Sequence, residues 1–245
     1  MENRNFQLDT EWNVVHYPHQ PTGFGILIIG DERNFVDKEQ SFWTQNEGRL
    51  QLIHHFKKSG YTTFYSNLYG KNWGCDKSVK LAKQLYYYML RNEILNDKIH
   101  ILAEGMGALV ALKLLKEMKH NIRSIVLLNP IYSLKSQLDH EKEHKFFYKK
   151  LVKEIAAAYE VDPKQVEEIV QEVDALPELP SDIPIKVIHI LNGARSYKQS
   201  GISNQIAARL ENVGTIISVC YILPEKVPKL NQYTINFFKK YENIL

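Results

Sequence analysis

KIHILAEGMGALVALKLL, running from Lys98 to Leu115, is the stretch whose reading decides the fold. Ile99 to Leu102 is a short apolar run, the length of a buried strand. The small residues Ala103, Gly105, Gly107 and Ala108 follow it. Val110, Leu112, Leu114 and Leu115 then repeat at helical spacing. The segment therefore reads as strand, sharp turn and helix, with small residues allowing the backbone to reverse and the helix to pack close against the strand it has just left. Working outward, apolar strands are expected at Gly25–Gly30, Tyr61–Asn67, Ile122–Pro130, Ile185–Leu191 and Ile216–Leu223. Helices are expected at Arg49–Ser59, Lys77–Ile94, Ile202–Leu210 and from Leu230 to Tyr241. Phe6 to His19 alternates weakly and reads as an antiparallel strand or a hairpin at a sheet edge. Strands alternating with helices give an α/β class: a mostly parallel, doubly wound sheet in a three-layer α/β/α sandwich.

With these residues in view, the chain resembles the α/β-hydrolase family, whose nucleophile elbow G-x-S-x-G lies on such a strand-turn-helix. The elbow here is Ala103-Glu104-Gly105-Met106-Gly107, so the position of the nucleophile carries Gly105. Leu68-Tyr69-Gly70-Lys71-Asn72-Trp73-Gly74 resembles a connection of the same family, with Asn67 where an aspartate is usual. About fifty residues, highly charged and helical in pattern, intervene after Ile131, where the family inserts a lid. Within them Asp162, Pro163 and Gln165 spell an N-cap, a first-turn proline and a capping-box partner. The expected division is a core of residues 1–130 and 183–245 with a helical lid insertion at 131–182.

The resemblance implies a triad in the order nucleophile, acid, histidine, because a base must take the hydroxyl proton and a carboxylate must orient that base. The strand expected to precede the acid is followed by Asn192-Gly193-Ala194-Arg195, and no aspartate occurs beyond Asp182. The last histidine is His189, flanked by Ile188 and Ile190 as a packed strand residue would be. All three positions fail. The oxyanion hole needs only backbone donors, and the matching positions are the Met106 N–H and an N–H just after Gly30. Gly30, Asp31, Glu104, Gly105 and Met106 are thus the candidate ligand-binding residues. Asp31 and Glu104 read either as solvated loop residues or as carboxylates that favour a cationic or hydrogen-bond-donating ligand. Cys75, with Ser66 and Ser78 nearby, is a minor nucleophile candidate without a histidine assigned to it.

The wider composition bounds the function. The 245 residues are 44% apolar, enough for one large core. A net charge of +3 from 31 basic and 28 acidic residues lacks the footprint of a nucleic-acid binder. The opening MENRNFQLDTEW has no signal-peptide core, and no apolar run has the length of a membrane span, so a soluble cytoplasmic protein is expected. Two cysteines make no disulfide framework, and neither they nor His16, His19, His54 and His55 have metal-site spacing. No metal or cofactor is implied. Glu141–Glu154, EKEHKFFYKKLVKE, interleaves Phe146, Phe147, Tyr148, Leu151 and Val152 with lysines. That is the pattern of a membrane-surface helix and equally of a lid, and its mixed charges favour the lid. The expectation is a catalytically silent α/β-hydrolase-like protein that binds a small apolar molecule or a protein partner. The alternative is an esterase, thioesterase or lyase of the same fold using Asp31, Glu104 or Cys75.

Overall fold

The computed structural model describes residues 3–173, 182–192, 203–208 and 214–242, with Gly201 and Glu211. Eight strands form one sheet in the order β1-β2-β4-β3-β5-β6-β7-β8. They are β1 (Asn3–Leu8), β2 (Glu11–His16), β3 (Gly25–Ile29), β4 (Thr62–Ser66), β5 (Ile99–Glu104), β6 (Ile122–Leu128), β7 (Ile185–Ile190) and β8 (Ile217–Ile222). The first two strands are antiparallel to their neighbours and the rest are parallel. Of the two forms the sequence allows for its first segment the structure has the hairpin, and of its two strands β1 is an edge of the sheet while β2 also pairs with β4.

The central strands are buried along their whole length, as expected of parallel strands covered on both faces. Their side chains alternate between two cores. Leu27, Ile29, Ile101, Ala103, Ile125 and Leu127 face one side, under α3 (Asp76–Asn92) and α4 (Gly107–Met118). Ile26, Ile28, Leu102, Val126 and Leu128 face the other, with Phe56 of α2 (Glu47–Lys58) and Phe238 of the closing helix Leu230–Lys240. A short helix α1, Phe42–Gln45, capped by Ser41, occupies part of what the sequence reads as loop and buries Trp43.

Between β6 and β7 the chain runs through α5 (Leu134–Glu141), α6 (Lys145–Tyr159) and α7 (Val166–Val173). The start expected at Asp162 is present: its side chain accepts the Lys164 N–H, its own N–H donates to Gln165 Oε1, and Pro163 opens a 3₁₀ turn leading into α7. A third apolar cluster joins Leu134, Leu138, Leu151, Ile155, Val166 and Val170 of these helices to Trp73, Met106 and Ile131. The expected end of the insertion, Pro177 to Pro180, lies outside the described residues, as does the Gly193-Ala194-Arg195 stretch. Of the helix expected at 202–210, residues 203–208 are described and are helical.

Candidate functional site

Sheet order and register place the site. β4 leaves β3 on one side and the chain then crosses to β5 on the other, so the carboxyl ends of β3 and β5 flank a topological switch point, where open α/β sheets bind ligands. Ile29 pairs with Ala103. Two residues further along each parallel strand stand Asp31 and Gly105, which the register brings side by side.

Gly105 has φ +52°, a left-handed turn that a side-chain-bearing residue adopts only under strain. The turn is pinned by backbone bonds: the Gly105 N–H donates to Leu128 O at 2.9 Å, and Gly105 O accepts the Ile131 N–H at 2.9 Å. Gly107 meets a different requirement. A Cβ there would lie 2.4 Å from Ile29 O and 2.7 Å from Gly30 O. The close approach is therefore to the end of β3, where the sequence suggests β5, because the crossover lays the start of α4 over the neighbouring strand.

Asp31 turns into the elbow. A Cβ on Gly105 would fall 2.2 Å from Asp31 Cγ, so the carboxylate fills the space where a nucleophile's side chain would begin. Its Oδ1 accepts the Met106 backbone N–H at 2.8 Å. That N–H is the donor expected of an oxyanion hole, and an internal anion already holds it. The loop carrying Asp31 is tied down on both sides: Asn34 N–H donates to Asp31 O at 2.8 Å, and Asn34 Nδ2 donates to Ser66 O at 3.0 Å.

Glu104, the last residue of β5, forms an ion pair with Arg49 of α2, and both side chains are largely buried. The Arg49 guanidinium lies 5.5 Å from the Trp43 ring centre, so α1 supplies a platform for the cation. Burial raises the Glu104 pKa, Arg49 opposes the rise and Asp31 adds to it, and the net shift is upward. The two carboxylates thus differ in surroundings: one is neutralised by a cation, and the other rests on a backbone donor.

Met106, next to Gly105, packs with Trp73 and with the helices that follow β6. Met106 and Trp73 are buried, and the Trp73 N–H lies 3.2 Å from Met106 Sδ. Trp73 Nε1 donates to Glu154 Oε2 of α6 at 3.3 Å, Lys71 pairs with the same carboxylate, and Tyr159 OH donates to Trp73 O at 3.1 Å. Cys75 is buried at the start of α3, Ser78 Oγ donates to its carbonyl, and Ser66 Oγ accepts the Leu68 N–H. None of the three has a hydrogen bond to a histidine among the described residues.

His189 is fully buried on β7, and burial pushes its pKa down to about 4. Its Nε2 is 2.6 Å from Ser203 Oγ, and Ser203 donates to Tyr132 OH at 3.0 Å. Sequence reasoning placed His189 in a strand and missed this serine. Ser203 is itself fully buried. Among the described residues no group of three His, Cys, Asp or Glu side chains could hold a metal, and no helix is long and apolar enough to cross a membrane.

No family model matches the chain, and no curated protein matches it. Solved structures do match in fold. The acylaminoacyl peptidase of Pyrococcus horikoshii superposes over 98% of this chain at a TM-score of 0.66 and 14% identity. The chain spans only 41% of that peptidase's length. Est1E from Butyrivibrio proteoclasticus matches at a TM-score of 0.65 and 9% identity, covering 98% of this chain and 99% of its own. The S-formylglutathione hydrolase of Staphylococcus aureus matches at 0.60 and 13%, covering 98% of each chain. With the eight-stranded, mostly parallel sheet and its flanking helices, this likeness establishes the α/β-hydrolase fold.

Proposed function

We propose that this α/β-hydrolase fold works by binding and does not hydrolyse esters or amides. One observation carries the reading: the Asp31 carboxylate stands where the nucleophile's side chain would be and accepts the Met106 N–H. A tetrahedral oxyanion at that donor would displace a carboxylate and then sit beside it, which opposes the charge that develops in acyl transfer. The surrounding chemistry agrees. Gly105 offers no hydroxyl, and the hydrogen bond His189 makes among the described residues is to Ser203.

The binding class divides between a small apolar molecule and a protein partner. Trp73 and Met106 pack in one cluster with Leu151 and Ile155 of α6, which supports a partner engaged on the surface. Glu104 and Asp31 keep a second reading open, a non-standard acid–base site, because two neighbouring carboxylates of unlike surroundings are what such chemistry uses. The test is a panel of p-nitrophenyl and thioester substrates together with a fluorophosphonate probe and a chloromethyl ketone. The expected result is no saturable turnover and no labelled residue. Turnover on the order of 1 s⁻¹, an ordinary enzymatic rate, or stoichiometric labelling of any serine or cysteine overturns the reading.

A further inference from the structure

A groove of about 800 Å³ runs along the outer face of α3, and none of its lining residues belongs to the elbow. One wall is the helix itself, which presents Lys77, Lys80, Gln84, Tyr87 and Arg91 at successive spacings of three and four residues, a single helical face. The other wall is the β1–β2 turn at Leu8 and Asp9 together with Tyr69. Lys80 and Arg91 are exposed and form no ion pair with a described residue. Lys77 sits 4.3 Å from the Tyr69 ring centre and only 3.9 Å from an exposed Glu160 carboxylate. Three cations therefore face one lining acid, Asp9, whose carboxylate is occupied by the Tyr69 hydroxyl.

The far wall is held in an unusual backbone. Asp9 (φ +56°) and Tyr69 (φ +62°) are both in the left-handed region, and their side chains are hydrogen-bonded to each other. Non-glycine residues hold such conformations where the surrounding structure enforces them, which is a recurrent feature of ligand-binding positions. Here the strained pair fixes the Tyr69 ring against Lys77 at one end of the groove. Tyr87, 46% exposed, supplies a second aromatic surface toward the other end.

We propose that this groove binds an extended acidic segment of a protein partner. The spacing selects the ligand. Lys77 and Arg91 are about 21 Å apart along the helix at about 1.5 Å per residue, too far for one compact anion to reach both. An extended peptide covers that distance with about seven residues. Its carboxylates meet the cations along the groove, and its backbone lies against the rings of Tyr69 and Tyr87. The proposal stands whether or not the elbow is silent, because none of these residues belongs to the elbow.

The test is fluorescence anisotropy with fluorescein-labelled hepta-glutamate on the intact chain. Saturable binding is expected, with K80E/R91E weakening it by a factor on the order of ten or more. K145E/K149E makes the same change in net charge on exposed residues of α6 and is expected to leave binding within about twofold. Tripolyphosphate is expected to compete poorly with the labelled peptide. Circular dichroism of both variants separates lost binding from lost folding. Absence of saturable binding, equal weakening by the two variants, or competition by tripolyphosphate as effective as that by unlabelled hepta-glutamate overturns the proposal.

Discussion

Asp31 and Met106 are 75 positions apart in the chain, yet the carboxylate of one accepts the backbone N–H of the other at 2.8 Å. The bond joins the loop after β3 to the first turn after β5, and it gives the elbow an acceptor of its own. Replacing Asp31 by alanine leaves the Met106 N–H without its charged partner. The expected cost is about 1.5–3 kcal/mol, the range for hydrogen bonds to charged groups. Asp31→Asn, which keeps an acceptor, is expected to cost less. Urea denaturation measures both, and an ester assay on the same samples is expected to stay at background.

Gly105→Ser meets two obstacles at once. The left-handed φ strains a serine by about 1–3 kcal/mol, and its Cβ would fall on the Asp31 carboxylate. The single variant is expected to be destabilised and inactive. Adding Asp31→Gly removes the collision, so the double variant is expected to be more stable than the sum of the two changes, by a coupling on the order of 0.5–3 kcal/mol. A double-mutant cycle by chemical denaturation checks this, and strict additivity would show that the two residues do not compete for one space.

Gly107 and Gly48 are both helical and call for opposite outcomes with alanine. At Gly107 the new methyl would press on Ile29 O, and a loss of about 1–3 kcal/mol is expected from overpacking. At Gly48, exposed in the first turn of α2, the nearest atom is 3.6 Å away. There a gain of about 0.5–1 kcal/mol is expected from the reduced backbone entropy of the unfolded chain. Denaturation midpoints of the two variants decide it.

Three buried histidines, His16, His100 and His189, have pKa values lowered chiefly by burial and make stability fall with acid. Burial, chiefly, lowers the pKa of both His16 and His189 from the ordinary 6.5 to about 4. Between those values the unfolded chain binds protons that the folded chain refuses. Stability is therefore full above about pH 6.5 and is lost as pH falls toward 4, with a slope of about 1.4 kcal/mol per pH unit for each group. His16→Gln, which retains a hydrogen-bonding side chain beside Tyr65 OH, is expected to reduce the slope by about one proton. Urea titrations across that range measure the slope, and an unchanged slope would show that His16 titrates normally.

Much of the frame was legible because its signals are local. Apolar runs such as Gly25–Ile29 and Ile122–Leu128 are buried strands, and the cap at Asp162 needs only four consecutive residues. The contents of the elbow were not legible in the same way. Gly105 and the absence of an acid after Asp182 are visible in the letters, but the direction of the Asp31 side chain depends on the Ile29–Ala103 register, which no local pattern specifies. The same applies to Arg49 reaching Glu104 and to His189 meeting Ser203. The inner face of α3 is apolar in the sequence, and its Leu81, Leu85, Tyr86 and Met89 are buried. The three- and four-residue spacing of Lys77, Lys80, Gln84, Tyr87 and Arg91 was equally present, and it becomes a groove only when the β1–β2 turn arrives opposite.

Trp73 and Met106 share one packed cluster with α5, α6 and α7, so the helices after β6 cannot lift away without wetting the turn beneath them. That makes the Ile131 amide, bonded to Gly105 O, a built-in reporter. In deuterium exchange its protection tracks the opening of this upper layer, and one slow proton reads out how tightly the roof is held to the floor.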